Sequence, residues 1–235
     1  MKSRFLLLWL QAPLQSWGVD SKFGHRDSLG FPTKSGIAGL MLCALGASGE
    51  QREILAELAP LRQTVISYAR RTTDAAPIDT PFLRDFHMVG SAYDETDPWQ
   101  SLLIPRRSDG KKAVGGGVKM TYRNFIQDGF FAVVAEVTEE RTEQLAEAIG
   151  NPVFDLYLGR KCCAPTDIVF RGIFDLENDA VDAGAVIAAG KNLIERFRVC
   201  DGEIGDEVMT LNDVPLRFGQ VKEYRERRVG VTLHE

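Results

Sequence analysis

Phe5-Leu6-Leu7-Leu8-Trp9-Leu10 is a continuous apolar run closed by Gln11 and Pro13. It is far shorter than the ~20 apolar residues a membrane helix needs. A short apolar stretch between polar and proline punctuation reads as a buried strand. No small-residue cleavage site follows it, so it does not read as a secretory signal, and a cytoplasmic protein is expected.

Working outward, Gln11–Leu29 reads as a loop rich in glycine, serine and charge. Pro32-Thr33-Lys34-Ser35-Gly36 then opens a helix running to about Leu45. Thr33 or Ser35 suits its N-cap and Gly46 its C-terminal stop. Gln51–Leu58 predicts a second short helix. Thr64–Ala69 and Phe82–Val89 predict strands. From Gly90 to about Val118 periodicity disappears, and a stretch that long without elements is usually functional or disordered. Met120–Gln127 and Phe130–Val137 predict further strands. Arg141–Ile149 predicts a helix, Ile168–Phe174 a strand and Val181–Arg196 an alanine-rich helix. Several short strands are expected between Phe197 and Leu233.

This order fits an α+β fold of ferredoxin-like type with extra C-terminal strands. One domain over 1–235 is expected, with an insertion at about 90–119 and a β-rich part at about 197–235. The chain has 235 residues, 44% hydrophobic and 26% charged, an ordinary globular composition. Four cysteines without a CxxC spacing and three scattered histidines argue against a structural zinc. No metal or cofactor is expected.

The net charge of −5 argues weakly against a protein that coats nucleic acid everywhere. Its distribution is more informative. Between Pro105 and Arg123, the cations Arg106, Arg107, Lys111, Lys112, Lys119 and Arg123 face Asp109 alone, a net of +5. Trp99 and Tyr122 flank them. A basic, glycine-rich finger with nearby rings suits single-stranded RNA, whose phosphates need cations and whose splayed bases stack. A solvated loop that touches nothing reads equally well from composition. A second cluster, Arg217–Arg228, carries a net of +3. There Lys222 and Arg228 would share one strand face and Arg225 and Arg227 the other, although a charge-protected edge strand explains it nearly as well.

No Walker A, GxSxG, HExxH or EF-hand pattern occurs. His25 and His87 are the residue type suited to general acid–base work, but nothing in the sequence brings them to a partner.

Five strings then become informative together. Leu10-Gln11-Ala12-Pro13-Leu14-Gln15-Ser16-Trp17-Gly18, Phe31-Pro32-Thr33-Lys34-Ser35-Gly36-Ile37-Ala38-Gly39-Leu40 and Leu83-Arg84-Asp85-Phe86-His87 come first. Thr121-Tyr122-Arg123-Asn124-Phe125-Ile126-Gln127-Asp128 and Tyr157-Leu158-Gly159-Arg160-Lys161-Cys162-Cys163-Ala164-Pro165 follow in order. Together they resemble the CasD family, the fifth CRISPR-associated family, of the subtype I-E kind within the RAMP superfamily. Ala12 stands where that family's pattern has glycine, and the basic stretch before Thr121 differs in length.

The resemblance implies an RRM-related fold with a protruding thumb, and a non-catalytic subunit of the Cascade complex. It implies binding to the 5′ handle of the CRISPR RNA, contacts to the backbone and large subunits, and only indirect contact with target DNA. Lys34 and Ser35 would sit at a helix N-terminus that favours phosphate. Gln15 and Trp17 would bond to or stack on a base, or Trp17 would anchor the core. Arg84 and His87 would lie beside the thumb, with Tyr122 and Arg123 at its base. Arg160 and Lys161 would follow a glycine, Gly159, that lets RNA approach. The rival reading is a metal-independent endoribonuclease, for which His87, Lys119 and Tyr122 are the local candidates. A third reading is a structural bridge with little RNA contact.

Overall fold

The computed structural model describes residues 2–18, 24–70, 82–89, 96–99, 109–111 and 119–234. In chain order its strands are β1 (Ser3–Gln15), β2 (Trp17–Gly18), β3 (His25–Arg26), β4 (Ser28–Leu29), β5 (Gln63–Arg70), β6 (Phe82–Val89) and β7 (Lys119–Thr138). β8 (Phe170–Phe174), β9 (Leu193–Asp201), β10 (Glu207–Arg217) and β11 (Glu223–Leu233) complete them. The helices are α1 (Lys34–Ala44), α2 (Arg52–Leu58), α3 (Glu139–Gly150) and α4 (Glu177–Gly190). The result is a mixed α/β chain built on a mostly antiparallel sheet.

The main sheet runs β10-β11-β9-β5-β7-β1-β8, and β3 and β6 pair with β7 off that path. β1 explains itself. Leu6, Leu8 and Leu10 point to one face, where Ile37 and Met41 of α1, Leu55 of α2 and Leu145 of α3 join them. Phe5, Leu7 and Trp9 point to the other, against Ala180 and Ala188 of α4. A strand buried on both faces has no polar side, so FLLLWL shows no alternation. Each of these side chains contributes about 1.5–3 kcal/mol by leaving water. Pro13, which has no N–H to donate, lies beyond the stretch that β8 pairs, Phe5–Leu8.

α1 begins and ends on local chemistry. Thr33 Oγ1 accepts the Gly36 N–H at 3.1 Å, and Gly46 follows the last turn with φ +70°. The sequence reading differs from the structure elsewhere. The stretches 120–127 and 130–137 are not two strands but parts of the twenty-residue β7. The expected helix 181–196 stops at Gly190, and Asn192 turns the chain with φ 56°. Leu193 therefore enters β9, pairing β5 and β11. The expected short C-terminal strands are one long hairpin, β10–β11. Among the described residues no helix is long and apolar enough to cross a membrane.

Candidate nucleic-acid interface

β7 outruns the sheet. Its second half, Gly129–Thr138, lies between β1 and β5, while its first half pairs with β6 from Lys119 to Ile126. β3 adds to the other edge in parallel, His25 beside Tyr122 and Arg26 beside Arg123. The outcome is a ribbon whose two faces follow from strand alternation.

One face carries Arg84, Phe86 and Met88 of β6 with Met120 and Tyr122 of β7 and His25 of β3. The His25 and Tyr122 rings stack, with centroids 5.1 Å apart and planes 19° apart. Phe86 lies 5.1 Å from Tyr122, and the Arg84 guanidinium sits 4.4 Å over the Tyr122 ring. Phe86 is 47% exposed and Met120 56%. Exposed rings and a guanidinium plane on a sheet surface can stack unpaired bases.

The other face carries charge of both signs, with Asp85 of β6 opposite Arg123. Arg123 and Arg26 lie beside each other on adjacent strands. Arg160 reaches in from the turn after β7 and α3, its guanidinium 4.6 Å over Phe125 and its Nη2 donating to the Arg26 carbonyl at 2.9 Å. Burial, with the neighbouring charges of Arg123 and Arg26, pushes the Arg160 guanidinium below its ordinary pKa. Its Nη1 has no hydrogen-bond partner among the described residues. Cations crowded this way repel one another and gain from an anion.

The expected site residues divide. Arg84, Tyr122, Arg123 and Arg160 come together on the ribbon and its margin. His87 is on the ribbon but pairs with Asp85 and projects to the face away from Arg84. Residues three apart on a strand cannot share a face. For the same reason His87 and Tyr122 point to opposite sides, since Thr121 is the residue opposite His87. Lys119 opens β7, opposite Val89. Lys161 is exposed on the turn beside Arg160, and Lys111 is exposed with its N–H held by Asp109 at 3.0 Å. Arg106, Arg107, Lys112 and most of the expected thumb lie outside the described residues.

Three placements correct the sequence reading. Gln15 and Trp17 are fully buried. Gln15 Nε2 donates to the Leu10 and Gly129 carbonyls at 3.2 and 2.8 Å, and its Oε1 accepts the Trp17 indole N–H at 3.1 Å. They lock the end of β1 instead of meeting a base. Lys34 is also buried. Its Nζ donates to the Ala59 carbonyl at 3.0 Å and to that of Leu61, and lies 3.6 Å from Asp201. Burial lowers its pKa, against the pull of Asp201. The anion at the α1 N-terminus is Asp213, which takes the Lys34 N–H at 2.8 Å. Gly159 sits in a tight turn. A Cβ there would lie 1.7 Å from the Ser16 carbonyl oxygen, at φ +92°. It lets the Leu158–Cys163 turn close on β1. Ser35 stays half-buried, its hydroxyl 3.3 Å from that of Thr33.

The C-terminal basic cluster is also largely neutralised. Arg227 forks onto Asp213 at 2.7 and 2.8 Å and reaches Asp201. Arg228 meets Glu203 at 2.6 Å, and Arg217 meets Glu223. The sequence reading missed His25 and Arg26 as members of the surface, and Phe86. The alternation Arg84, Phe86, Met88 was the available signal for Phe86. Nothing local announces that β3 docks on Tyr122.

The fold and this ribbon define a mixed α/β protein whose central strand carries an aromatic and cationic surface beyond the core. The chain belongs to the family described as CRISPR-associated protein (Cas_Cas5), which matches residues 5–230. It is similar to the CRISPR system Cascade subunit CasD of Escherichia coli (strain K12), 28% identical over 171 residues, 72% of this chain and 70% of that one. Among solved structures it resembles a chain of a CRISPR RNA-guided surveillance complex, with TM-score 0.70 and 24% identity over 98% of this chain and 90% of that one. A second, described as the crystal structure of a Cas protein, gives TM-score 0.58 and 25% identity over 97% and 94%.

Proposed function

We propose that this chain is a non-catalytic RNA-binding subunit of a CRISPR Cascade surveillance complex that holds the 5′ handle of the guide RNA. The observation that carries the reading is the Arg84–Tyr122–His25–Phe86 surface, with the guanidinium group of Arg26, Arg123 and Arg160 behind it. Rings would take unpaired bases and the arginines their phosphates. Similarity to a Cascade subunit gives the setting, with the backbone and large subunits as partners and target DNA met through the complex. Strands β5, β7, β1 and β8, with α1 and α3 as crossovers, support a ferredoxin-like reading of the core. His87 and Tyr122 point to opposite sides of the ribbon, so these two candidates of the nuclease reading do not converge on one bond, whereas His25 stacks on Tyr122 and its substitution belongs to the test.

The test mixes the full chain with labelled CRISPR repeat RNA in EDTA and runs native and denaturing gels. A shifted, uncut RNA is expected. Tyr122→Ala with Arg84→Ala should weaken the shift roughly 10-fold or more, at ~1–3 kcal/mol per stacked base, with an unchanged melting temperature. A discrete product that survives EDTA and vanishes with His25→Ala or His87→Ala would move the chain to the nuclease reading.

A further inference from the structure

Cys162 and Cys163 are neighbours in the chain and in space, with their sulfurs 4.0 Å apart in the turn that follows Gly159. Cys162 is exposed, whereas Cys163 is buried to 1% exposure. The turn holds them in place. The Cys163 N–H donates to the Arg160 carbonyl and the Cys163 carbonyl accepts the Leu158 N–H, both at 2.8 Å. The Ser16 N–H donates to the Leu158 carbonyl at 3.1 Å, which pins the turn to the end of β1. The other two cysteines have other partners. Cys43 on α1 lies 3.5 Å from the Asp155 carbonyl oxygen, and Cys200 on β9 lies 3.7 Å from the Thr64 hydroxyl.

Two thiols side by side can chelate a soft atom, and their surroundings decide which one. A divalent metal fits badly. Zinc takes about three or four protein ligands, and among the described residues no third His, Cys, Asp or Glu joins the pair. The near charges have the wrong sign for a dication: Arg160 lies close enough to feel both sulfurs, with Arg123 and Arg26 as its further neighbours. Burial, with Cys162 beside it, pushes the Cys163 thiol well above its ordinary pKa. Zinc binding and thiol–disulfide exchange both need the thiolate. One exposed thiol and one buried neutral thiol in cationic surroundings instead suit a neutral, thiophilic electrophile that joins both.

We propose that Cys162 and Cys163 form a capture site for trivalent arsenicals of the type R–As=O. The exposed Cys162 thiol adds first. Cys163 then closes the ring, at the high effective concentration of an adjacent residue. Two As–S bonds form and the As=O bond is lost. The two thiol protons leave with that oxygen as one water, and arsenic stays trivalent. The product is a neutral ring through both sulfurs, carried by the turn that holds the Arg160 guanidinium over Phe125.

The test treats the folded full chain with phenylarsine oxide and reads the intact mass, with thermal melts of each variant. One phenylarsine group per chain is expected, with one water lost. Dimercaptopropanol, a dithiol, should strip it. Glutathione, a monothiol, should not do so at the same thiol concentration, because a chelate outlasts single-thiol competition. Cys162→Ser, at an exposed position, should lose the adduct while melting as wild type does. Cys43→Ser combined with Cys200→Ser should keep it. A wild-type chain that takes up no arsenical overturns the proposal. So does an adduct that survives Cys162→Ser, one that is lost with Cys43 and Cys200, or one that glutathione removes.

Discussion

Asp213 accepts the Lys34 backbone N–H at the start of α1 and the fork of Arg227 from β11. With Asp201 it balances two buried cations, so no charge in the group stands alone. Removing one member leaves another uncompensated in low dielectric, which costs about 3–5 kcal/mol. Asp213→Ala should therefore lower the urea midpoint by that equivalent, and Asp213→Asn by less, with the Tyr122 ribbon unaltered where the chain stays folded. The same residues show where sequence reading fails. Lys34 at a helix N-terminus looks like a phosphate ligand, because that inference is local. Its carboxylate partners lie 167 and more positions along the chain, at Asp201 and Asp213, and no spacing rule points to them. Gln15 misled for a related reason, while Trp17 stood open between a base contact and a core anchor: a short polar-aromatic motif reads the same whether it serves a ligand or closes a strand end. Thr33 and Gly46 were legible because a cap and a stop need only their immediate neighbours.

At the scale of elements, strand ends are pinned by carboxylates. Burial would raise the Glu136 pKa, but the Ser3 hydroxyl, the Arg62 N–H and the Arg62 guanidinium outweigh it and hold it low. Asp167 is likewise held low against burial by Lys191, the Ile168 N–H and Arg171. A carboxylate depressed on folding stabilises fully above its unfolded pKa, ordinarily 4.5 for a Glu such as Glu136 and 3.8 for an Asp such as Asp167. That stability is lost as pH falls through the lower folded values. Urea midpoints should drop from pH 5 to pH 3, and Glu136→Gln should flatten the slope. The turn that carries Arg160 has a steric requirement instead. Gly159→Ala meets both the Ser16 carbonyl and a left-handed backbone, and should cost more than about 3 kcal/mol, read as a lower melting temperature. The apolar run of β1 and the period of β5 announced themselves. β7 did not, because two strong strand patterns interrupted by Asp128-Gly129 look like a hairpin. The backbone instead keeps its register with β1 across a left-handed Asp128, φ 48°, so both patterns belong to one strand.

For the whole molecule, β7 joins two regions of unequal support. From Phe130 to Ala135 it is flanked by β1 and β5 and covered by helices. From Lys119 to Ile126 its ladder is shared with β6 and two residues of β3. Amide exchange should be slowest in the first part, approaching global unfolding, and faster in the second. Guide RNA should slow exchange selectively at Tyr122–Asn124 and leave Val133 unchanged. Equal protection along the strand without RNA would contradict this division. The continuity also has a mechanical side. A strand of twenty residues spans roughly 65 Å at ~3.3 Å per residue, with its rear half clamped on both edges. A pull on the ribbon is transmitted along the covalent backbone and loads the β1 and β5 hydrogen bonds side by side, in shear, rather than peeling them one after another. The ribbon thus behaves as a cantilever rooted in the core, and on the proposed function a strand of RNA at its tip would load the sheet directly.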